Sequence, residues 1–325
     1  VQPTDTFSGR PHDVSAACGG NQILYNYGDS SYGAMSVRNG TWNSVNTVYT
    51  RLILQVGVAE TMQTASALGL AMPAYDPANH CASVALGFLD VTPLAMASAF
   101  GTFANHGRRA PPTPILRVTD ANGNNLIDNT MAGEQAQQVI AEPVADNVTD
   151  ILRGVLTDGT AADNGIDRPA AGKTGTAEDE GNAWFVGFTP TLSTAVWMGY
   201  LQCNCPLHGI NGVRRMTGGA VPAETWERVM RRALQGVPVT EFAEPAPIVK
   251  PSDEQVRRQR NGFDPGAPRR RDGTPAGSYV DDLSPPVAEA PTTTTSTTTP
   301  PTTTTVTRPI TTTTKFSLIP PTTYR

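Results

Sequence analysis

The chain has 325 residues and a formal net charge of −5, with 24 basic against 29 acidic side chains. That balance gives no electrostatic reason to expect nucleic-acid binding, and no apolar run within these residues reaches the ~18 positions of a membrane-spanning helix. Four cysteines, Cys18, Cys81, Cys203 and Cys205, are too few and too irregularly spaced for a disulfide-scaffold miniprotein.

Composition divides the chain in two. Residues 1–242 carry apolar side chains at helical and strand spacings, and a segment of that size buries about 70% of its unfolded surface. Residues 243–325 turn to Pro, Thr, Arg and Asp, too poor in large apolar groups to offset the entropy of ordering, and are expected to form a disordered tail. Its basic positions, Arg257, Arg258, Arg260 and Arg269 to Arg271, suit either a solvated linker or contact with an anionic polymer or membrane surface. Its Thr runs between prolines read as a spacer or as a glycosylated stalk outside the cytoplasm.

In chain order, Tyr49, Leu52, Ile53 and Val56 fall at i, i+3, i+4 and i+7 and predict a helix over Asn46–Val56, stopped by Gly57. A second is expected over Val58–Leu68, with Gly69 as its stop. A third starts with Thr92 as N-cap and Pro93 at the first helical position, and places Leu94, Ala97, Phe100 and Ala104 on one face. Pro114 to Ile127 reads as a hairpin turning at Asp120 to Asn125. Val144, Val148, Ile151, Leu152 and Val155 define a fourth helix. Three strands follow, Ala170–Ala177, Ala183–Thr189 and Ser193–Tyr200, whose short connections predict an antiparallel meander. The final helix, Pro222–Leu234, presents Trp226, Val229, Met230, Ala233 and Leu234 toward that sheet. Helices, then consecutive antiparallel strands, then a closing helix predict an α+β fold, an antiparallel sheet flanked by helices.

Chemistry concentrates in Gly172-Lys173-Thr174-Gly175-Thr176, on the strand that begins the meander. Alternation puts Lys173 and Gly175 on one face, Thr174 and Thr176 on the other, and the flanking glycines suggest an open strand edge with little packing around Lys173. Ser44-Val45-Asn46 precedes a helix, where Ser44 is either an ordinary N-cap or a functional hydroxyl. Cys203-x-Cys205 followed by His208 resembles half a metal site, but a second ligand pair at usual spacing is missing, so no metal or other cofactor is expected. Disulfide and free thiol both remain open for these cysteines.

Ser-x-Asn at a helix start, well upstream of Lys-Thr-Gly on a strand, resembles the second and third elements of the penicillin-binding-protein and serine β-lactamase signature. Leu86-Gly87, Val91 to Phe100, Phe103 to Gly107, Gly159-Thr160-Ala161, Asn182 to Gly187 and Gly218 to Pro222 extend the likeness to class A high-molecular-weight penicillin-binding proteins. The resemblance implies a penicillin-binding transpeptidase fold in residues 1–242 and acyl transfer on peptidoglycan stem peptides ending in D-Ala-D-Ala. It implies that Ser44 relays protons, Asn46 holds the donor peptide, Lys173 supplies positive charge, and Thr174 and Thr176 bind the terminal carboxylate beside Gly175. The Thr176 N–H would donate to the oxyanion. Implied partners are stem peptides, β-lactam antibiotics and cell-wall synthesis proteins, with no nucleic acid. The implied location is the extracytoplasmic face of the membrane, anchored by an N-terminal segment outside this chain.

One element departs from the pattern. The residues three before Lys173, Lys250 and Lys315 are Ala170, Pro247 and Thr312, so the sequence holds no Ser-x-x-Lys and therefore no family nucleophile. The expectation is a domain cut just downstream of its catalytic serine and separated from a glycosyltransferase domain upstream, inactive as it stands. A serine β-lactamase or D,D-carboxypeptidase shares the fold and chemistry, although the long Thr/Pro tail disfavours a β-lactamase. A non-catalytic wall-binding scaffold that lost the serine is a third reading.

Overall fold

The computed structural model describes residues 1–87, 89–129, 136–210 and 212–248. The tail expected over 243–325 lies, from residue 249 on, outside the described residues. Residues 243–248 are described without regular structure, and the Ala246 and Ile248 carbonyls accept from Asn147 Nδ2 at 2.7 Å and Gln2 Nε2 at 3.1 Å.

The elements run β1 (Thr6–Ser8), β2 (His12–Asp13), α1 (Ser15–Cys18), β3 (Ile23–Leu24), β4 (Ala34–Ser36), α2 (Val37–Trp42), α3 (Asn46–Val56), α4 (Val58–Ala67) and α5 (Pro93–Ala104). Then come β5 (Arg108–Arg109), β6 (Arg117–Thr119), β7 (Asn125–Asp128), β8 (Gln137–Gln138), α6 (Glu142–Arg153), β9 (Ala171–Thr176), β10 (Asn182–Phe188), β11 (Ser193–Gly199), β12 (His208–Ile210), β13 (Val213–Arg215) and α7 (Val221–Ala233). The α+β prediction holds, as do the meander and the four earlier helices. Thr92 caps α5 by accepting from Ala95 N at 3.2 Å, and Gly57 ends α3 with φ at 111°. Among the described residues no helix is long and apolar enough to cross a membrane.

Strands β11, β10 and β9 form one antiparallel sheet in that order. Because side chains alternate, Phe185 and Phe188 of β10 point to opposite faces. Phe188 meets Phe100 of α5 edge-on at 6.2 Å between ring centroids, and Phe185 meets Trp226 of α7 at 5.0 Å. The sheet is thus sandwiched between α5 and α7. Under α7 lies the main core, where Val155, Phe185, Trp226 and Met230 are fully buried. A smaller cluster of Val14, Ile53, Val58, Met62 and Ala82 supports α3 and α4.

The sequence-based faces need correction in several helices. Leu94 of α5 is 65% exposed, because the buried side of that helix runs through Ala99 and Thr102 with Phe100 and Phe103 beside them. A helix apolar nearly all round leaves periodicity nothing to discriminate. Val229 and Ala233 of α7, Val144 of α6 and Val56 at the end of α3 are also exposed, each at the rim of a stripe whose centre carries the burial. The β6–β7 hairpin forms as expected, but every residue in both strands is exposed.

Disulfides join Cys18 to Cys81 and Cys203 to Cys205. Another tie is polar. Glu180, in the turn between β9 and β10, is 2% exposed. It accepts from the Tyr27 hydroxyl and lies 2.8 Å from His208 Nε2 and 3.4 Å from Arg215 Nε. One buried carboxylate therefore pins the 23–32 segment and the β12–β13 hairpin to the end of β9.

Two outcomes follow from this packing. Leu94→Ala should change stability by no more than about 0.5 kcal/mol, whereas Trp226→Ala should cost about 3–5 kcal/mol, both read from denaturant unfolding. The hydrogen bonds from Tyr27 and then His208 hold the Glu180 carboxyl below its ordinary value of 4.5. A depressed folded-state value gives stability that is present above the unfolded value and lost as pH falls through the folded one. The melting-temperature advantage of the wild type over Glu180→Gln should accordingly shrink as pH falls below 4.5; a constant gap would remove the ionised form from the account.

Candidate active site

The Ser44 turn is built by the end of α2. The Ser44 N–H donates to Thr41 O at 3.1 Å and the Val45 N–H to Gly40 O at 2.9 Å, the paired bonds of a Schellman motif with Ser44 at its left-handed position. Its φ is 51°, a region that glycine usually fills and that costs another residue about 1–2 kcal/mol. Gly40 is required, since a Cβ there would meet Val48 Cγ1 at 2.8 Å. Ser44 is therefore not the N-cap of α3. Val45 holds that position, with no side-chain cap bond.

The strained turn aims the hydroxyl across the molecule. Lys173 Nζ donates to Ser44 Oγ at 2.7 Å and to Thr174 O at 2.9 Å, joining positions 129 residues apart. Burial pushes the Lys173 ammonium down to about 8, because desolvation disfavours the charged form. The open, unpacked strand edge expected around Lys173 is corrected here. Gly172 is buried, and a Cβ on it would meet Phe185 Cζ at 2.7 Å, so glycine there serves packing.

Strand register orders the rest. Lys173 pairs with Val186 and Gly175 with Trp184 on one face, while Thr174 pairs with Phe185 and Thr176 with Ala183 on the other. The Ala177 N–H bonds Asn182 O at 2.9 Å, which makes 177/182, 175/184 and 173/186 the hydrogen-bonded pairs of the ladder. Thr174 and Thr176 thus turn their backbone N–H and C=O groups away from β10, toward the outer edge of β9.

The threonine hydroxyls are already engaged. Thr176 is exposed, and its Oγ1 accepts from the Gly218 N–H at 3.0 Å. Thr174 is 9% exposed, and its Oγ1 lies 2.7 Å from Thr160 Oγ1. Gly218 comes so close to β9 that a Cβ would sit 2.5 Å from Gly175 O and 2.8 Å from Gly175 N. Asn46, the first residue of α3, donates from Nδ2 to Tyr25 O at 3.2 Å.

Ser44 and Lys173 are thus in direct contact, Thr174 and Thr176 stand on the opposite face of β9, and Asn46 is held by the 23–32 segment. Sequence reasoning assigned no role to Asn26. Its Oδ1 accepts from the Thr47 N–H and hydroxyl, both at 3.0 Å, and its Nδ2 donates to Gly9 O and Ser30 O, both at 2.8 Å. This buried amide fixes the start of α3 one residue after Asn46, and nothing local to its sequence marks it. His106, Glu142 and Asp146 bring ligand atoms within 4.8 Å of one another, but His106 Nδ1 and Asp146 Oδ1 already satisfy each other at 2.8 Å.

Most of the chain is similar to known proteins. The penicillin binding protein transpeptidase domain matches residues 19–231. Penicillin-binding protein 1A of Aquifex aeolicus is 33% identical over 229 residues, 70% of this chain and 30% of that protein. Penicillin-binding protein 1A of Mycolicibacterium smegmatis is 32% identical over 234 residues, 66% of this chain and 29% of that protein. The structure of the PonA1 protein from Mycobacterium tuberculosis in complex with penicillin V superposes with a TM-score of 0.67 at 28% identity, covering 76% of this chain and 68% of that one. The chain spans about 30% of the length of the curated relatives it matches. It belongs to the penicillin-binding protein transpeptidase domain family, as a homologue of the class A proteins named 1A.

Proposed function

We propose that the chain serves penicillin binding and the D,D-transpeptidase cross-linking of peptidoglycan stem peptides, as the part of the domain that surrounds a nucleophile supplied from a Ser-x-x-Lys outside these residues. The observation that carries this reading is the 2.7 Å bond between Lys173 Nζ and Ser44 Oγ. A motif lysine and a motif serine from distant parts of the chain meet, and the serine adopts an unfavourable backbone to do so.

The residues divide the work by chemistry. Lys173 uses two of its three N–H donors on Ser44 and Thr174 O, leaving one for a ligand carboxylate. With a pKa of about 8 it is mostly cationic at neutral pH. Ser44 both accepts from Lys173 and owns a proton, so it can pass one between the nucleophile and the leaving amine. Asn46 lies at the helix start beside that relay and holds the donor peptide. The Thr176 hydroxyl accepts from Gly218 N–H, which directs its own proton outward to an acceptor. The Thr176 N–H, on the outer edge of β9 beside Gly175, is the oxyanion donor. In the reaction the nucleophile adds to the penultimate carbonyl, terminal D-Ala leaves as an amine, and an amine of a second strand resolves the acyl-enzyme.

A β-lactam presents the same carbonyl and carboxylate, and the similarity to a penicillin V complex supports its binding here. The transpeptidase unit is read as residues 1–242. The two disulfides support an oxidising compartment, consistent with a place at the extracytoplasmic face of the membrane, held there by an anchor upstream.

The 325-residue chain should form no acyl adduct with penicillin by intact mass; a stoichiometric adduct would sink the assignment of the nucleophile to a missing Ser-x-x-Lys. With that segment joined upstream, Lys173→Ala should lower acylation efficiency about 10- to 150-fold, the worth of one hydrogen bond to a charged group. Wild-type efficiency should fall as pH rises through about 8, where the cation is lost, and this limb should be absent in Lys173→Ala.

Ser44→Gly and Ser44→Ala should slow acylation alike, because both remove the hydroxyl. Ser44→Gly should nonetheless be the more stable by about 1 kcal/mol in thermal unfolding, since only glycine relieves the left-handed backbone. Equal stability would show that the turn is not strained.

A further inference from the structure

Thr174 is 9% exposed and its hydroxyl is spent on Thr160, whereas Thr160 is exposed. The outward-facing member of the pair is thus the residue to which no role was assigned. Thr160 sits where three segments cross. Its N–H donates to Trp42 O at 3.0 Å, two residues before Ser44. Its carbonyl lies so near Gly219 that a Cβ there would come within 2.3 Å of it, and that same Cβ would lie 3.7 Å from Thr174 Cγ2. Gly218, one residue earlier, donates to Thr176 Oγ1. The Gly218-Gly219 pair therefore backs both the Thr160–Thr174 pair and Thr176, and the two exposed residues Thr160 and Thr176 flank it.

We propose that Thr160 is a further carboxylate-binding residue of the site, contacting the ligand's terminal carboxylate together with Thr176, while Thr174 acts through Thr160 as a positioning residue. This rests on the reading of β9 as a carboxylate-binding strand. The direction of the hydrogen bonds follows from chemistry. An ionised carboxylate only accepts, so the hydroxyl that touches it must donate outward and must accept from behind. Thr174 O–H then donates to Thr160 Oγ1, and Thr160 O–H donates to the ligand. A hydroxyl that accepts one bond is polarised to give a stronger one, and Gly218 N–H does for Thr176 what Thr174 does for Thr160.

The test is an NMR titration of the 325-residue chain with N-acetyl-D-Ala-D-Ala and with its C-terminal amide, following the Thr176 and Gly218 amide signals. The free acid should produce saturable shifts that the amide does not. Thr160→Val should weaken the acid's binding about ten-fold or more, Thr160→Ser should bind as the wild type does, and Thr174→Val should lose less than Thr160→Val. Melting temperatures confirm that each variant is folded.

Wild-type affinity in Thr160→Val, or a loss in Thr160→Ser equal to that in Thr160→Val, overturns the proposal and leaves the strand reading intact. So does a larger loss in Thr174→Val, which would return the contact to Thr174. Absence of any carboxylate-dependent shift in the wild type overturns the strand reading itself, and the Thr160 proposal with it.

Discussion

An ammonium taken out of water needs acceptors within reach, or it must give up its proton. Lys173 meets that demand with one backbone carbonyl on its own strand and one hydroxyl 129 residues away. The second acceptor makes the site a tertiary object. Ser44 is available only because α2 ends in a left-handed turn, and the turn is held only because α2 and α3 touch at Gly40 and Val48. The packing of two helices is in this way converted into the position of one oxygen. Local strain at Ser44 is affordable where surrounding contacts over-determine the backbone.

Close backbone approach does the corresponding work on the other side of β9. A Cβ on Gly218 would press into Gly175, one on Gly219 into the Thr160 carbonyl, and one on Gly159 into Trp42 O at 2.5 Å. These glycines let the loop before β9, the turn before Ser44 and the loop before α7 stack with no side chains between them. The Gly218 N–H thereby reaches the Thr176 hydroxyl directly, and the Thr160 hydroxyl reaches Thr174. The two faces of β9 are supplied from different directions: Lys173 by the α2–α3 turn, Thr174 and Thr176 by the Gly159 and Gly218 loops.

Much of this was legible in the sequence, and the limits are physical. Helices α3, α6 and α7 show their period because apolar side chains recur along one face, α4 is marked only by the glycines at its ends, and the three strands of the meander declare themselves by short turns. Helix α5 forms where expected and packs Phe100 and Ala104 as expected, but Leu94 faces outward, since an apolar helix carries little phase. Residues 1–36 gave no reading because their strands are two or three residues long, below the length at which alternation can be recognised. The Lys-Thr-Gly string located β9 and its face parity, but no one-dimensional pattern could show that Thr174 lies behind Thr160, or that Asn26 anchors Thr47. Such contacts join residues without common periodicity. Gly159-Thr160-Ala161 and Gly218-Gly219 did stand out by family likeness, though without a reason, and the reason is the steric one given above.

The Glu180 cluster is a further tie between the separate segments that carry the motif residues. Lys173–Ser44 joins the two motif-bearing parts at their centre, and the Thr160 N–H to Trp42 O bond joins them on the α7 side. Tyr27–Glu180 joins them at the far end of β9, through a segment that also holds Asn46 by Tyr25 O. One of these bonds comes from β9 itself, one from the loop before it and one from the turn after it, and together they restrain the strand's slide and tilt as a single contact could not. A hydroxyl or amide displaced by 1 Å loses most of its catalytic value. Precision of that order is therefore a property of the set of ties, and the buried Glu180 carboxylate belongs to the same set as the Lys173–Ser44 bond.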